Sequence, residues 1–341
     1  MTRTLLPLCL AALFAGCGDD DDSAPDGDAD SDADADAGGD ADTDADADAD
    51  ADADGDADGD ADLPDPIELA EQVSEDEILA TISDLEAFET RETFTSGDDD
   101  ARDYLVGRLE AYGLPVEEDS FLVTGEEAAN VIARKEGSVE PGAIWIFSAH
   151  YDSTSAIPRT SAPGADDNAS GVAAVLEAAR ILAPVRTHDS LWFVATAAEE
   201  QGSLGSQHMA GWLVEEEVDV RGVIAPDMIA YWPLGDDDSF DILGDEDSEW
   251  LVEEMADMAD ALGVAYKTWI DHGYCYGDDH TRFQEAGFAA ITPMDCVEAH
   301  NGVGAPETTP HYHQTTDTVD TLYLPFTTRV VQVIVAALAS R

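Results

Sequence analysis

Basic residues are scarce in this chain: only two of its 341 residues are lysine, Lys135 and Lys267, and Lys plus Arg number 14 against 77 Asp plus Glu. The resulting formal net charge of −63 repels a phosphate backbone, which excludes a generic nucleic-acid binder. Cysteine is scarce as well. Cys9 and Cys17 lie close to the first residue, so only Cys275 and Cys296 remain for the rest of the chain. Neither has the partner spacing of a zinc knuckle, and two residues cannot staple a disulfide-rich scaffold. Apolar runs long enough to span a bilayer are missing, since Leu5–Ala15 is too short to do so as a mature helix.

What is present divides into three parts. Residues 1–17 read as an export signal, with Arg3 as a short positive region ahead of the Leu5–Ala15 run. The string Leu13-Phe14-Ala15-Gly16-Cys17 resembles the lipobox of bacterial lipoproteins. That resemblance implies a lipid on Cys17 and anchoring at the membrane of a bacterial cell envelope, with plain secretion as the alternative. Residues 18–63 form a tether of Asp, Ala and Gly, with 22 Asp between Asp19 and Asp62 and no Lys, Arg or aromatic residue. Such a stretch cannot bury a core, and self-repulsion extends it beyond the roughly 35–40 Å of a neutral coil. Its alternating carboxylates (Asp52, Asp54, Asp56) could surround calcium, but the acid that closes an EF-hand loop is missing, so a solvated spacer is expected.

Residues 64–341 are expected to be one folded domain. Without the tract and Arg3, the remaining net charge on residues 63–341 is still −42. A surface this acidic is soluble where salt screens it, which points to a saline habitat. Nothing in the sequence fixes an oligomeric state.

Apolar periodicity predicts helices over Ile67–Phe88, broken near a Ser74/Glu77 capping box, and over Asp100–Tyr112, Ser170–Leu182, Ser248–Leu262 and Leu324–Leu338. Continuous apolar runs at Ala143–Ala149 and Leu191–Ala197 predict strands buried on both faces, and Gly222–Ala225, Phe240–Leu243 and Ala289–Thr292 predict shorter ones. Strands alternating with helices imply an α/β fold: a mostly parallel mixed central sheet with helices on both faces. In such sheets ligands gather beyond the carboxyl ends of the strands.

Several polar residues fall at those ends. His150 follows the first apolar run and Asp152 stands two residues on, where a carboxylate can hold the other ring nitrogen of a metal-binding histidine. By itself His-x-Asp is more often a capped histidine that binds nothing. Asp166-Asp167-Asn168-Ala169-Ser170-Gly171 places adjacent acids in a turn of small residues. The cluster could simply cap the next helix through Asn168 or Ser170, but unpaired neighbouring carboxylates also suit a cation. Glu199-Glu200 offers one acid for a metal and one to face a substrate as general base, although an exposed Glu pair is common. Asp227 ends another apolar run, where an unpaired carboxylate is costly. His313, followed by Thr315, Thr316 and Asp317, could be a surface histidine or a ligand with partners behind it.

In their order His150, Asp167, Glu200, Asp227, His313, with their flanking residues, these positions resemble the cocatalytic zinc aminopeptidases of the bacterial leucyl aminopeptidase type, relatives of glutamate carboxypeptidase and glutaminyl cyclase. The resemblance covers roughly Ile67–Leu338 and implies two Zn2+ ions. It assigns His150 and Asp227 to one ion, Glu200 and His313 to the other, Asp167 to both, Glu199 as the catalytic acid and base, and Asp152 as the residue orienting His150. The implied substrate is a peptide with a free N-terminus and an apolar first residue. Carboxypeptidase, deacylase or glutaminyl cyclase chemistry on the same fold, or a non-catalytic surface protein, are the alternatives. Asp278-Asp279-His280, with Phe283 and Gly287 after it, departs from the family's Ser-Asp-His by carrying Asp278 for Ser. A Cys275–Cys296 disulfide differs in spacing from the family's short loop. Met228, Tyr274, Tyr276, Phe288 and Met294 are candidate walls of an apolar specificity pocket, or ordinary core.

Overall fold

The computed structural model describes residues 63–232, 238–271, 277–295 and 309–341. The signal, Cys17, almost all of the tether, Tyr274, Tyr276, Cys275 and Cys296 lie outside them.

The centre of the fold is built from the apolar runs. β3 (Glu140–His150), β4 (Asp189–Thr196) and β5 (Val220–Ile224) lie side by side and parallel, in the order β4-β3-β5. Successive residues alternate between two layers, because side chains on a strand point to opposite faces. Trp145, Phe147, Leu191, Phe193 and Ile224 pack into one layer, and Ile144, Ile146, Trp192, Val194 and Val223 into the other. A strand covered on both sides must be apolar throughout, which explains the unbroken runs.

Among the described residues the sheet has eight strands in the order β1-β2-β4-β3-β5-β8-β6-β7. The β3/β4, β3/β5, β5/β8 and β6/β7 pairs are parallel, and β1/β2, β2/β4 and β6/β8 antiparallel. The outer strands are β1 (Val116–Val123), β2 (Glu126–Lys135), β6 (Phe240–Gly244), β7 (Tyr266–Ile270) and β8 (Ala290–Met294). The larger layer holds α1 (Pro66–Ala70), α2 (Glu75–Glu86), α3 (Ser96–Ala111), α4 (Ala169–Leu182), α6 (Glu249–Leu262) and α8 (Leu324–Ala339). The smaller one holds α5 (Leu204–Glu215) and α7 (Asp279–Glu285).

From β3 the chain runs through α4 to β4 on one side, then through α5 to β5 on the other side of β3. The direction of winding reverses there, so a crevice opens beyond the carboxyl ends of these strands.

Local signals explain several helix ends. Asn168 caps α4, its side chain accepting from the Gly171 amide at 2.9 Å. Gly263, at φ 68°, closes α6. The capping box at Ser74 is only half formed: Ser74 Oγ accepts from Glu77 N, but Ser74 N donates to Glu177 Oε1 at 2.6 Å, a partner 103 residues away.

Candidate metal centre

Each strand of the central trio delivers a side chain to the crevice. β3 ends on His150 itself; Glu199 and Glu200 follow β4, and Asp227 follows β5, with its amide bonded to Pro293 O of β8 at 3.1 Å. The turn before α4 contributes Asp167, and the segment leading to α8 contributes His313. Residues that are up to 163 positions apart thus meet at one end of the sheet.

Asp167 lies at the middle. Its Oδ1 is 3.3 Å from His150 Nε2 and its Oδ2 is 3.4 Å from His313 Nε2. On the first side Asp227 Oδ2 is 3.5 Å from His150 Nε2, and on the second Glu200 Oε2 is 3.1 Å from His313 Nε2. Two triads result, His150–Asp167–Asp227 and Asp167–Glu200–His313, each offering three ligand atoms within 4.8 Å of one another. Both suit a divalent ion by donor chemistry, since imidazole nitrogen with carboxylate oxygen is a zinc-type set. The fit has a second support: His150 Nε2, Glu200 Oε1 and Asp227 Oδ1 are buried yet have no hydrogen-bond partner, a costly state unless a cation completes them.

The electrostatics agree. Burial pushes Glu200 up to about 7, helped by the Asp167 charge, and pushes Asp227 up to about 6. Burial would also raise Asp167, but His150 and His313 hold it well below the usual carboxylate range. Burial would lower His313, yet its bonds to Asp167 and Glu200 raise it to about 10. These are the marks of acids and bases crowded together for charge rather than for stability.

Asp152 is wholly buried and organises the β4 end. Its Oδ1 accepts the Glu199 amide at 3.0 Å, and its Oδ2 accepts the Glu200 amide and the Thr93 hydroxyl, both at 3.2 Å. The nearest acceptor for His150 Nδ1 is the Asp152 main-chain carbonyl at 3.2 Å, with Oδ1 at 3.6 Å. The carboxylate expected to orient His150 therefore also holds the two glutamates. Glu199 Oε1 meets Ser203 Oγ at 2.9 Å, and burial raises Glu199 well above its ordinary value.

Asp167, Glu199, Glu200, Asp227, Met228, Asp278, Tyr312 and His313 line a cleft of about 270 Å³, together with Gly202 and Gly277. Met228 is one of the cleft walls. Phe288 is not: it packs with Phe283 and Ile132 in the smaller layer. Met294 lies behind Met228, in a small cluster with Leu243. Asp278, the departure from Ser, faces the cleft, and burial raises its carboxyl well above the ordinary range. Asp279 instead turns inward to the Thr196 hydroxyl.

Sequence reasoning missed several supports. Asn130 on β2 accepts the Ala197 amide at 3.0 Å and donates to Gly205 O at 3.0 Å, fixing the turn that carries the glutamates. Ala198, Ser203, Met228 and His313 all have positive φ, 47–56°, a conformation that costs about 1–3 kcal/mol for a residue with a side chain. Nothing local in the sequence marks those positions. Tyr312, whose ring stacks on His313 at 3.7 Å between centroids, was also passed over.

Residues 130–338 match the profile of peptidase family M28, more than half of the chain. The chain belongs to peptidase family M28. Among similar sequences, a probable zinc metalloprotease of Pyrenophora teres f. teres is 29% identical over 277 residues, covering 65% of this chain and 57% of that protein. Aminopeptidase YwaD of Bacillus subtilis is 31% identical over 204 residues, covering 58% and 41%. The chain spans about three fifths of the length of the first of these curated relatives. Solved structures share the fold: Legionella pneumophila LapA aminopeptidase superposes with a TM-score of 0.67 at 24% identity over 81% of this chain and 75% of that one. BSAP, a zinc aminopeptidase from Bacillus subtilis, gives 0.68 at 17% identity over 78% and 94%.

Proposed function

We propose that this chain is an aminopeptidase with two zinc ions, one held by His150, Asp167 and Asp227 and the other by Asp167, Glu200 and His313. The observation that carries the reading is Asp167, which turns one carboxylate oxygen to each histidine and so belongs to both donor sets. When bound, such a pair supplies Lewis acidity that acidifies water and polarises a carbonyl.

The chain's own residues do the rest. Glu199 takes the proton of the attacking water and returns it to the leaving amine. Burial raises its pKa above the ordinary carboxylate value, the direction that makes it a stronger proton acceptor. The Asp152 bond to its amide and the Ser203 bond to its carboxyl keep it at the cleft wall. Met228 and Tyr312 offer apolar surface to the first side chain of the peptide, while the acidic lining favours a free ammonium over a carboxylate.

One observation weighs against the carboxypeptidase alternative, which would need a cation to receive the substrate's carboxylate. No Arg or Lys is among the described residues that line the cleft. Arg91 is buried against main-chain carbonyls, Arg282 pairs with Glu285 at 2.9 Å, and Arg159 is exposed. A glutaminyl cyclase is disfavoured because all five donors are kept, and a non-catalytic protein because Glu199 is kept with them.

The same reading includes export, with a lipid on Cys17 and the acidic tether holding the peptidase away from a membrane. The test is hydrolysis of a leucyl anilide before and after chelation. Activity should vanish on chelation and return with zinc; indifference to the chelator would sink the reading.

A further inference from the structure

Arg91 is the largest wholly buried side chain among the described residues, and it carries a charge. Its guanidinium points at main-chain carbonyls from three separate segments. Nε donates to Tyr151 O at 2.7 Å, Nη1 to Pro163 O at 2.6 Å and Leu85 O at 3.3 Å, and Nη2 to Gly164 O at 2.9 Å. Its main chain is tied as well: Arg91 N donates to Ser153 Oγ at 3.1 Å, and Ser153 N to Arg91 O at 3.3 Å.

Two of those segments carry the centre. Tyr151 sits between His150 and Asp152, and Pro163-Gly164 opens the turn that bears Asp166 and Asp167. Gly164, at φ 55°, lets the loop come this close, since a Cβ there would lie 2.8 Å from Nη2. All four of these bonds end on main-chain carbonyls, so the guanidinium acts on backbone position rather than in an ion pair.

We propose that Arg91 is a positioning residue for the metal centre: its planar fork fixes the spacing between the His150 strand end and the Asp167 turn, and so sets metal affinity. The proposal rests on the two-metal reading. Lysine keeps the charge but is a single point donor and cannot span four carbonyls. Loss of an outer partner of a metal site commonly lowers affinity about 10–100-fold.

The test is zinc affinity by chelator competition, and the visible spectrum of the cobalt-loaded protein, for wild type, Arg91→Lys and Ser153→Ala, with thermal unfolding measured in parallel. Ser153→Ala leaves the guanidinium in place and removes the Oγ that accepts from Arg91 N and donates to Ala162 O at 2.7 Å, so it loosens the seating of Arg91 beside the Pro163-Gly164 loop and is available should Arg91→Lys not fold. The expected result is a loss of zinc affinity of about tenfold or more for Arg91→Lys and a smaller loss for Ser153→Ala, with a changed cobalt spectrum. Folded variants that are less stable but bind zinc and cobalt as wild type does would overturn the proposal, and unchanged binding by Ser153→Ala alone would do so if Arg91→Lys does not fold. A wild type that binds no metal would instead defeat the two-metal reading.

Discussion

Asp317 Oδ2 accepts the main-chain N–H of Asp167 at 3.0 Å. Its other oxygen accepts the Asp166 amide at 2.9 Å, so the acid expected to stand behind His313 in fact grips the Asp167 turn. An amide in its place would set an NH2 against an N–H. Asp317→Asn is therefore expected to lose about 1–3 kcal/mol of stability and to weaken zinc binding. Denaturant unfolding and chelator competition measure the two effects, and a variant unchanged in both would contradict this role.

Glu199 and Glu200 are adjacent in sequence but separate in task. Glu199→Gln should keep its metal and lose about 10²–10⁴-fold in kcat, the size of a general acid–base contribution. Glu200→Gln should lose metal as well. Metal content alongside kcat distinguishes them; a Glu199→Gln protein that hydrolyses normally would remove Glu199 from the reaction.

The shared position of Asp167 predicts an asymmetry in stoichiometry. His313→Ala should drop tightly bound zinc from two ions to one, because the His150–Asp167–Asp227 set stays whole. Asp167→Asn should weaken both. Equal losses for the two variants would mean that the ions do not share Asp167.

Zinc must compete with protons for these groups. In the metal-free centre His313 is raised to about 10, Glu200 to about 7 and Asp227 to about 6, so at neutral pH the site holds more protons than it can keep with metal bound. Binding should release at least one proton near pH 7, and affinity should rise with pH and fall steeply below about 6 to 7. Calorimetry in two buffers of different ionisation enthalpy counts the protons; a pH-independent affinity is the contrary result.

The net charge of −42 on residues 63–341 sets a salt dependence. Raising ionic strength shortens the Debye length from about 30 Å at 0.01 M to about 3 Å at 1 M. The unfolding midpoint should therefore climb with sodium chloride, and equal stability at both extremes would remove the argument for a saline habitat.

The central strands, with His150, Glu200 and Asp227 at or just beyond their ends, could be read from sequence because each is an apolar run followed by polar residues, whereas Asp167 and His313 stand in turns and were reached through the family resemblance. The β1/β2 hairpin could not. β1 reads Val-Glu-Glu-Asp-Ser-Phe-Leu-Val, an acidic edge strand with little apolar alternation, and its one signal is the Thr124-Gly125 turn, both residues at positive φ. β7 was missed for a similar reason, since Tyr266–Ile270 is half-buried or exposed throughout. The supports of the centre were hidden for another reason. Arg91, Thr93 and Asn130 reach partners tens of residues away through hydrogen bonds, and no spacing rule links Thr93 to Asp152 or Asn130 to Ala197. The candidate donors have a chemical signature, whereas the residues that aim them have only a position.

The most direct test of an aminopeptidase is whether it needs the free amine. Leucyl anilide and its N-acetylated form should be offered to the zinc-loaded protein under identical conditions. The account predicts cleavage of the free substrate only, abolished by chelation; cleavage of the blocked substrate at a comparable rate would contradict it.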